Sequence, residues 1–316
     1  MVIGLAQQNV PSYGGQAVIE GVMFGGKQVT VTAIRRKSQE IEYFEAPRNE
    51  IPWVKVLKKI PFLRGIVGLV EASANGAKHL NFASERYSME SGEEEASAGP
   101  SKLQMILGVA VVGILSFLFG KFVFTLVPVF LADLLFGKWI TNQYAQNILE
   151  GVIKLILLLG YITAIAQAPI MKRLFQYHGA EHKVINAYES GVDLTVENVQ
   201  KFSTLHYRCG SSFLIFTVII GVVIYSFFSY DSLWERVVQR ILLLPVVIGV
   251  SYEVLQFTNK LRDTPVLRLL GYPGLWLQKI TTREPDDSQV EVAIAAFQKM
   301  REREREMTNP GLVSAG

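Results

Sequence analysis

The sequence contains one cysteine, Cys209, so no intrachain disulfide can form and the small secreted scaffold class is excluded. It also lacks a charge of one dominant sign. Its 31 basic and 28 acidic side chains leave a net charge of +3, too balanced for a protein that must neutralise several phosphates, so no nucleic-acid partner is expected. Charged residues make up only 19% of the chain against 50% hydrophobic, which argues against a disordered or ordinary soluble protein. The N-terminal MVIGLAQQNVPSYGG has neither a basic n-region nor a sustained apolar core, so no cleavable signal peptide is read there and insertion falls to internal segments. Histidine is scarce as well, with four in 316 residues.

What the sequence has in excess is apolar residues, gathered in three windows at 103–136, 148–170 and 211–258. A bilayer core of about 30 Å takes about 20 residues of apolar helix. The run from Leu103 to Gly137 would measure about 51 Å as one helix, at about 1.5 Å per residue. We read a span at about 103–124, then a kink or interfacial extension carrying Pro128 and Asp133, with a re-entrant hairpin as the alternative. Residues 148–170, ending at Pro169 and carrying an i,i+4 pair of Glu150 and Lys154, form the second span. The third is 211–230, and the fourth is 237–257, with Pro245 and Glu253 inside it. The expected fold is a mainly α membrane protein of about four transmembrane helices, with a small N-terminal β-meander plus helices on the cytoplasmic side.

Lys and Arg collect on the cytoplasmic side of membrane proteins. The 171–210 loop carries Lys172, Arg173, Lys183, Lys201 and Arg208, and the stretch after the fourth span carries Lys260, Arg262, Arg268, Lys279 and Arg283. The short loops 137–147 and 231–240 have only Lys138, Arg236 and Arg240. The expected location is the cell membrane, multi-pass, with both termini and the long loop cytoplasmic.

Four regions follow. Residues 1–87 form a cytoplasmic β/α region, in which alternation over 13–46 with turns at Gly25-Gly26 and Lys37-Ser38-Gln39 predicts the meander. From Pro52 to Phe82 the period becomes helical with a basic face, and this stretch either packs on the meander or lies on anionic headgroups. His79 is expected at its surface. Residues 88–101 read as a flexible acidic linker, 102–258 as the membrane domain, and 259–316 as a cytoplasmic C-terminal region. There, Ser288-Gln-Val-Glu291 predicts a capping box opening a helix through Met300, with REREREM as its solvated end. Asp286 and Asp287 read as capping acids rather than metal ligands.

Three of the four histidines fall between positions 178 and 206. If Tyr177–Glu189 is helical, His178 and His182 at i,i+4 project from one face and can share a metal ion. Glu189 returns to that face, and Glu181 lies about a sixth of a turn to the side. The order H-x-x-E-H is the inverted form of the zinc-peptidase motif, in which the glutamate is the general base. Catalytic zinc usually takes three protein ligands. His206 and Cys209, in His206-Tyr-Arg-Cys209, are the candidates, and Glu253 is another; a thiolate ligand favours zinc or iron over magnesium or calcium.

The segments YGGQAVIEGVMFGG (13–26), KKIPFLRG (58–65), HGAEHKVINAYESG (178–191), LTVENV (194–199), HYRCGSSFL (206–214), SYEVLQ (251–256) and TTREPDD (281–287) together resemble the YqhQ-like family of bacterial integral membrane proteins. The resemblance covers about residues 13–300 in order. It implies a domain of unknown function described as a predicted metal-dependent enzyme, a description that rests on the same histidines. The family segment often reads His-Pro-Arg-Cys where Tyr207 stands here, leaving His206, Arg208 and Cys209 in place. The resemblance also brings Glu20, Arg283 and Glu284 into the candidate set.

The function expected is a membrane-bound hydrolase dependent on a divalent metal, with zinc as the cofactor, Glu181 catalytic, and His178, His182, His206 and Cys209 as metal ligands. Its substrate would be a membrane peptide or a lipid head group, and its partner the lipid bilayer. The alternative is a non-enzymatic factor in membrane assembly, transport or quality control, in which the same cluster fixes the loop.

Overall fold

The computed structural model describes residues 11, 13–48, 51–88, 115, 119–120, 122–261 and 264–308. Strands β1 (Gly14–Val18), β2 (Gly21–Gly25), β3 (Val29–Arg35) and β4 (Ile41–Pro47) form an antiparallel meander in the order β1-β2-β3-β4. Both expected turns lie at strand ends, and the β3–β4 turn carries Gln39 at φ 73°. The period-2 alternation of β3, VTVTAIR, sends its two faces to different partners. Val29, Val31 and Ala33 join one core, while Thr30, Thr32 and Ile34 turn to the opposite face.

That first core is closed by helices α5 (Pro169–Glu189) and α11 (Asp287–Thr308), through Tyr177, Ala180 and Val184 from one and Val290, Ala293, Phe297 and Met300 from the other. The opposite face is covered by α2 (Leu63–Ser88), and here the expectation for His79 is corrected. The imidazole is fully buried, with Nδ1 2.6 Å from Thr32 Oγ1 and Nε2 3.0 Å from Thr30 Oγ1. It falls on the sheet-facing side of α2, with Ala83 four residues on and Phe82 beside it.

The helical stretch from Pro52 is not continuous. A short α1 (Pro52–Leu57) ends before Pro61, and Phe62 takes φ 67° before α2 begins. Proline has no N–H for the helix ladder, which accounts for the break. The second half of α2 packs on the sheet, and no residue of α1 is buried.

The apolar helices are α3 (Val127–Phe136), entered through a π-helical turn at Phe122–Leu126, then α4 (Gln143–Ile165), α7 (Ser212–Tyr225), α8 (Leu233–Leu242) and α9 (Leu244–Lys260). Among the described residues, α4 is the one helix long and apolar enough to cross a membrane by itself; α8 and α9 pass together but are bent by 51°. Pro245 sits in the first turn of α9, where it interrupts the helix ladder. The 14 residues of α7 reach about 21 Å, short of a 30 Å core. Pro169 opens α5 at its first position instead of ending the preceding span. The span expected at 103–124 lies largely outside the described residues, as does the 88–101 linker apart from Ser88.

Glu150 does not pair along its own helix with Lys154. Its carboxylate is held by two buried guanidiniums of α8: Arg236 at 2.9 Å and Arg240 at 2.9 Å. At the C-terminus the capping box is shifted by two residues. Asp286 Oδ1 accepts the Gln289 N–H at 2.9 Å, and Gln289 Oε1 accepts the Asp286 N–H at 3.0 Å. Glu291 instead pairs with Arg35. The charged tail is not merely solvated, because Arg303 meets Glu45 at 2.7 Å and Glu304 accepts from Tyr13 Oη at 3.1 Å.

Candidate metal centre

Helix α5 carries His178, Glu181, His182 and Glu189, and its last three turns are buried almost all round. Two segments lie across it: the 203–209 loop that follows the short helix α6 (Val196–Gln200), and the 281–285 segment that follows α10 (Tyr272–Thr281). The second crosses at Gly179, where a Cβ would stand 2.0 Å from the Arg283 carbonyl oxygen. Any side chain there would push the segment away, and with it the carbonyl that orients His178.

His178 Nδ1 lies 2.8 Å from the Thr281 carbonyl oxygen, and His182 Nδ1 lies 2.6 Å from that of Thr204. A carbonyl only accepts, so each Nδ1 carries a proton, and in the neutral ring that a metal requires the lone pair is on Nε2. Both Nε2 atoms belong to the group around Cys209. Its Sγ is 3.2 Å from His178 Nε2, and the ligand atoms of His178, His182 and Cys209 all lie within 4.8 Å of one another. His182 Nε2 is buried and has no hydrogen-bond partner among the described residues.

A tetrahedral ion held by two imidazoles and a thiolate places its donors about 3.4–3.6 Å apart. Here His178 Nε2 and Cys209 Sγ are 3.2 Å apart and no donor pair exceeds 4.8 Å, so small side-chain movements bring the group to that size, and the buried Nε2 of His182 has no hydrogen-bond partner among the described residues. Two imidazole nitrogens and one sulfur suit zinc over harder cations.

The electrostatics agree with a charged cluster. Burial would push the Cys209 thiol up, but His182 and His178 beside it hold it well below its ordinary range. Burial would lower His178, yet the hydrogen bond to Cys209, the Cys209 charge and Glu181 raise it to about 9. Glu181 is pushed up by burial, against the opposing pull of His178 and His182. Its carboxyl lies beneath β1, where a Cβ on Gly15 would come within 3.0 Å of Glu181 Cδ and 2.6 Å of the Met23 carbonyl oxygen.

The other candidates lie elsewhere. His206 is buried 5.7 Å from His182 between ring centroids, outside the donor group; its Nε2 faces Glu189 at 3.7 Å, and its backbone is pinned by Gln278 at 2.8 Å. Glu189 pairs with Arg208, so both brace the turn that presents Cys209. Glu253 is far along the chain fold from the histidines, holding Arg64 Nε at 2.7 Å and the Phe62 N–H at 3.1 Å. Glu20, at φ 53° in the β1–β2 turn, clasps Arg173 and accepts from Tyr177 Oη at 3.3 Å. Arg283 Nη2 donates to the Ala166 carbonyl at 3.0 Å, and Glu284 meets Lys183 at 2.8 Å. Reading the sequence alone missed Thr204, Thr281, Gly15 and Gly179. The two threonines act through carbonyls, which leave no signal in residue type, whereas the glycines lie inside the motifs already singled out.

The molecule is thus a mainly helical protein with a small antiparallel sheet, built around a buried His/His/Cys donor group. Residues 60–303 match the DUF1385 family, described as a protein of unknown function. The chain is 59% identical over 294 residues to the Uncharacterized protein YqhQ of Bacillus subtilis (strain 168), covering 92% of each chain. It therefore belongs to this family. No solved structure matches it.

Proposed function

We propose that this protein is a membrane-embedded, metal-dependent hydrolase whose centre lies at the cytoplasmic face. The observation that carries the reading is the donor group of His178, His182 and Cys209, with His182 Nε2 buried and unpartnered. A zinc ion bound there would supply a Lewis acid to polarise a carbonyl or phosphoryl oxygen. The carbonyls of Thr281 and Thr204 fix both imidazole tautomers, and Arg208 and Glu189 hold the turn that bears Cys209. Glu181 takes a proton from the attacking water and returns it to the leaving group; its burial keeps the carboxyl's pKa above the usual range, which suits both halves of that task. The substrate class is a membrane peptide or a lipid head group.

The membrane reading is supported by apolar side chains that cover no core. Ile148, Val152 and Ile156 on α4, Leu214, Ile219 and Val223 on α7, and Leu242, Val246 and Phe257 on α8 and α9 are exposed. Trp139, Phe227 and Trp234 are exposed around the short loops, as expected of an aromatic belt at a bilayer surface. A cytoplasmic placement of the 171–210 loop and the C-terminal region, with four spans in all, is supported by the Lys and Arg residues gathered there.

A second reading, a non-enzymatic membrane factor, is favoured by one feature. The same hydrogen bonds tie α5 to the 203–209 loop and the 281–283 segment, which a structural clamp would also do. Metal analysis of purified protein with His178→Ala and Glu181→Gln separates the two. The hydrolase requires stoichiometric metal that is lost in His178→Ala and kept in Glu181→Gln, with cellular function lost in both. Full function in Glu181→Gln with metal retained establishes the clamp, and no bound metal in the unaltered protein overturns the metal centre.

A further inference from the structure

Between Ile51 and Val70 the sequence has four basic residues, Lys55, Lys58, Lys59 and Arg64, and no acid. The same stretch exposes a run of large apolar side chains: Trp53 at 65%, Val56 at 59% and Phe62 at 53%, together with Ile51, Ile60 and Leu63. Leaving such groups in water forfeits the gain that burial of their apolar surface would bring. The sheet does not claim them, since no residue of α1 is buried.

The turn between α1 and α2 is seated on α9, the second half of the bent apolar pair. Glu253 accepts the Phe62 N–H and the Arg64 guanidinium. Two glycines allow this contact: a Cβ on Gly249 would stand 2.9 Å from the Phe62 carbonyl oxygen, and one on Gly65 would stand 2.5 Å from Tyr252 Cβ. Glu253 lies seven residues before Lys260, the end of α9, or about 10 Å along the helix. Interfacial helices bury their apolar face to about 5–10 Å. Arg64 neutralises the one acid of that span, so the turn carries no unpaired charge to this depth. Val246 and Phe257 of α9 are exposed as well.

We infer that residues 51–63 form an in-plane anchor, with Trp53, Ile60 and Phe62 set into the headgroup boundary of an anionic leaflet and Lys59 facing its lipid phosphates. The inference rests on the membrane reading above. Its occupant is lipid rather than protein, because the stretch keeps a net positive charge after Lys58 pairs with Glu71 and Arg64 with Glu253, and because its turn is seated on an apolar helix.

The test uses the full chain in liposomes of phosphatidylcholine, with or without phosphatidylglycerol. Trp139→Phe, Trp234→Phe and Trp276→Phe leave Trp53 as the reporter. Lipids brominated near the headgroup should quench its emission by about half, lipids brominated near the bilayer centre should not, and aqueous iodide should fail to reach it. Lys59→Glu should weaken the quenching in the anionic liposomes alone. Trp53 reached by iodide overturns the anchor; so does Trp53 shielded from iodide yet unquenched by lipid, which would mean a protein covers it. If the three substitutions unfold the chain, Trp53→Phe in the otherwise natural protein should lower headgroup-level quenching of total emission by the Trp53 share, the remainder coming from Trp139 and Trp234, and no change would overturn the proposal. Ile156→Trp in a background without the other tryptophans tests the membrane reading separately. Quenching of that reporter near the bilayer centre without quenching of Trp53 defeats the anchor alone, and quenching of neither defeats both.

Discussion

Two of the buried histidines, His79 and His182, use their ring nitrogens in opposite ways. His182 spends one nitrogen on the Thr204 carbonyl and leaves the other unpartnered in the donor group. His79 spends both. Thr30 Oγ1 gives its proton to the Ala46 carbonyl at 3.1 Å, so it accepts from His79 Nε2–H, and Nδ1 then accepts from Thr32. This network holds a neutral imidazole, and burial, with Lys78 nearby, lowers the His79 pKa to about 4. The unfolded chain takes the proton near pH 6.5, about 2.5 units higher, so stability is full above that pH and falls as pH drops toward 4. The loss by pH 5 should reach about 2 kcal/mol. Thermal unfolding of the detergent-solubilised protein at pH 7 and pH 5, compared with His79→Gln, measures it; an equal pH response in both proteins would remove His79 as the cause. Sequence spacing picked out His178, Glu181 and His182 because i,i+4 on a helix fixes a shared face. It offered both His206 and Cys209 as the third ligand, because three residues of loop place one or the other inward only once the turn is folded.

Element boundaries show how neighbouring segments reset local patterns. Ser288 and Glu291 have the right residue types for a capping box, yet the reciprocal bonds form between Asp286 and Gln289. Asp is as good an N-cap as Ser, and Arg35 draws Glu291 away toward the sheet. Asp286→Ala should cost about 1 kcal/mol of stability and Ser288→Ala less than half of that, read as unfolding midpoints in denaturant. The reverse ranking would restore the box at 288–291. Alternation read the meander correctly, since each strand's register follows from its two-residue period. The helical period at 52–82 was read as one stretch, but Pro61 and the seat on Glu253 divide it, so its two halves meet different partners.

At the scale of the whole molecule, α5 packs with the sheet and α11 on one core and is tied by hydrogen bonds to the 203–209 and 281–283 segments, while Glu150, Arg236 and Arg240 brace the apolar helices α4 and α8. That brace takes the place of the Glu150–Lys154 pair expected from spacing, because two guanidiniums hydrogen-bond the buried carboxylate directly from a neighbouring helix. Topology is checked by fusing a reporter after Tyr144 and another after Asp193. The proposed four spans place the first outside the cytoplasm and the second within it; both on one side would require a different span count. The sequence by itself determined the meander, the helical nature of the rest, the apolar helices and the His178/Glu181/His182 face, all of which follow from short periods along one segment. Only the tertiary structure decided that Cys209 joins the pair while His206 turns to Glu189, that Glu253 serves the α1–α2 turn, and that His79 is core. Those outcomes depend on which carbonyl, glycine or counter-charge another segment brings alongside, and such pairings between distant segments have no period to read.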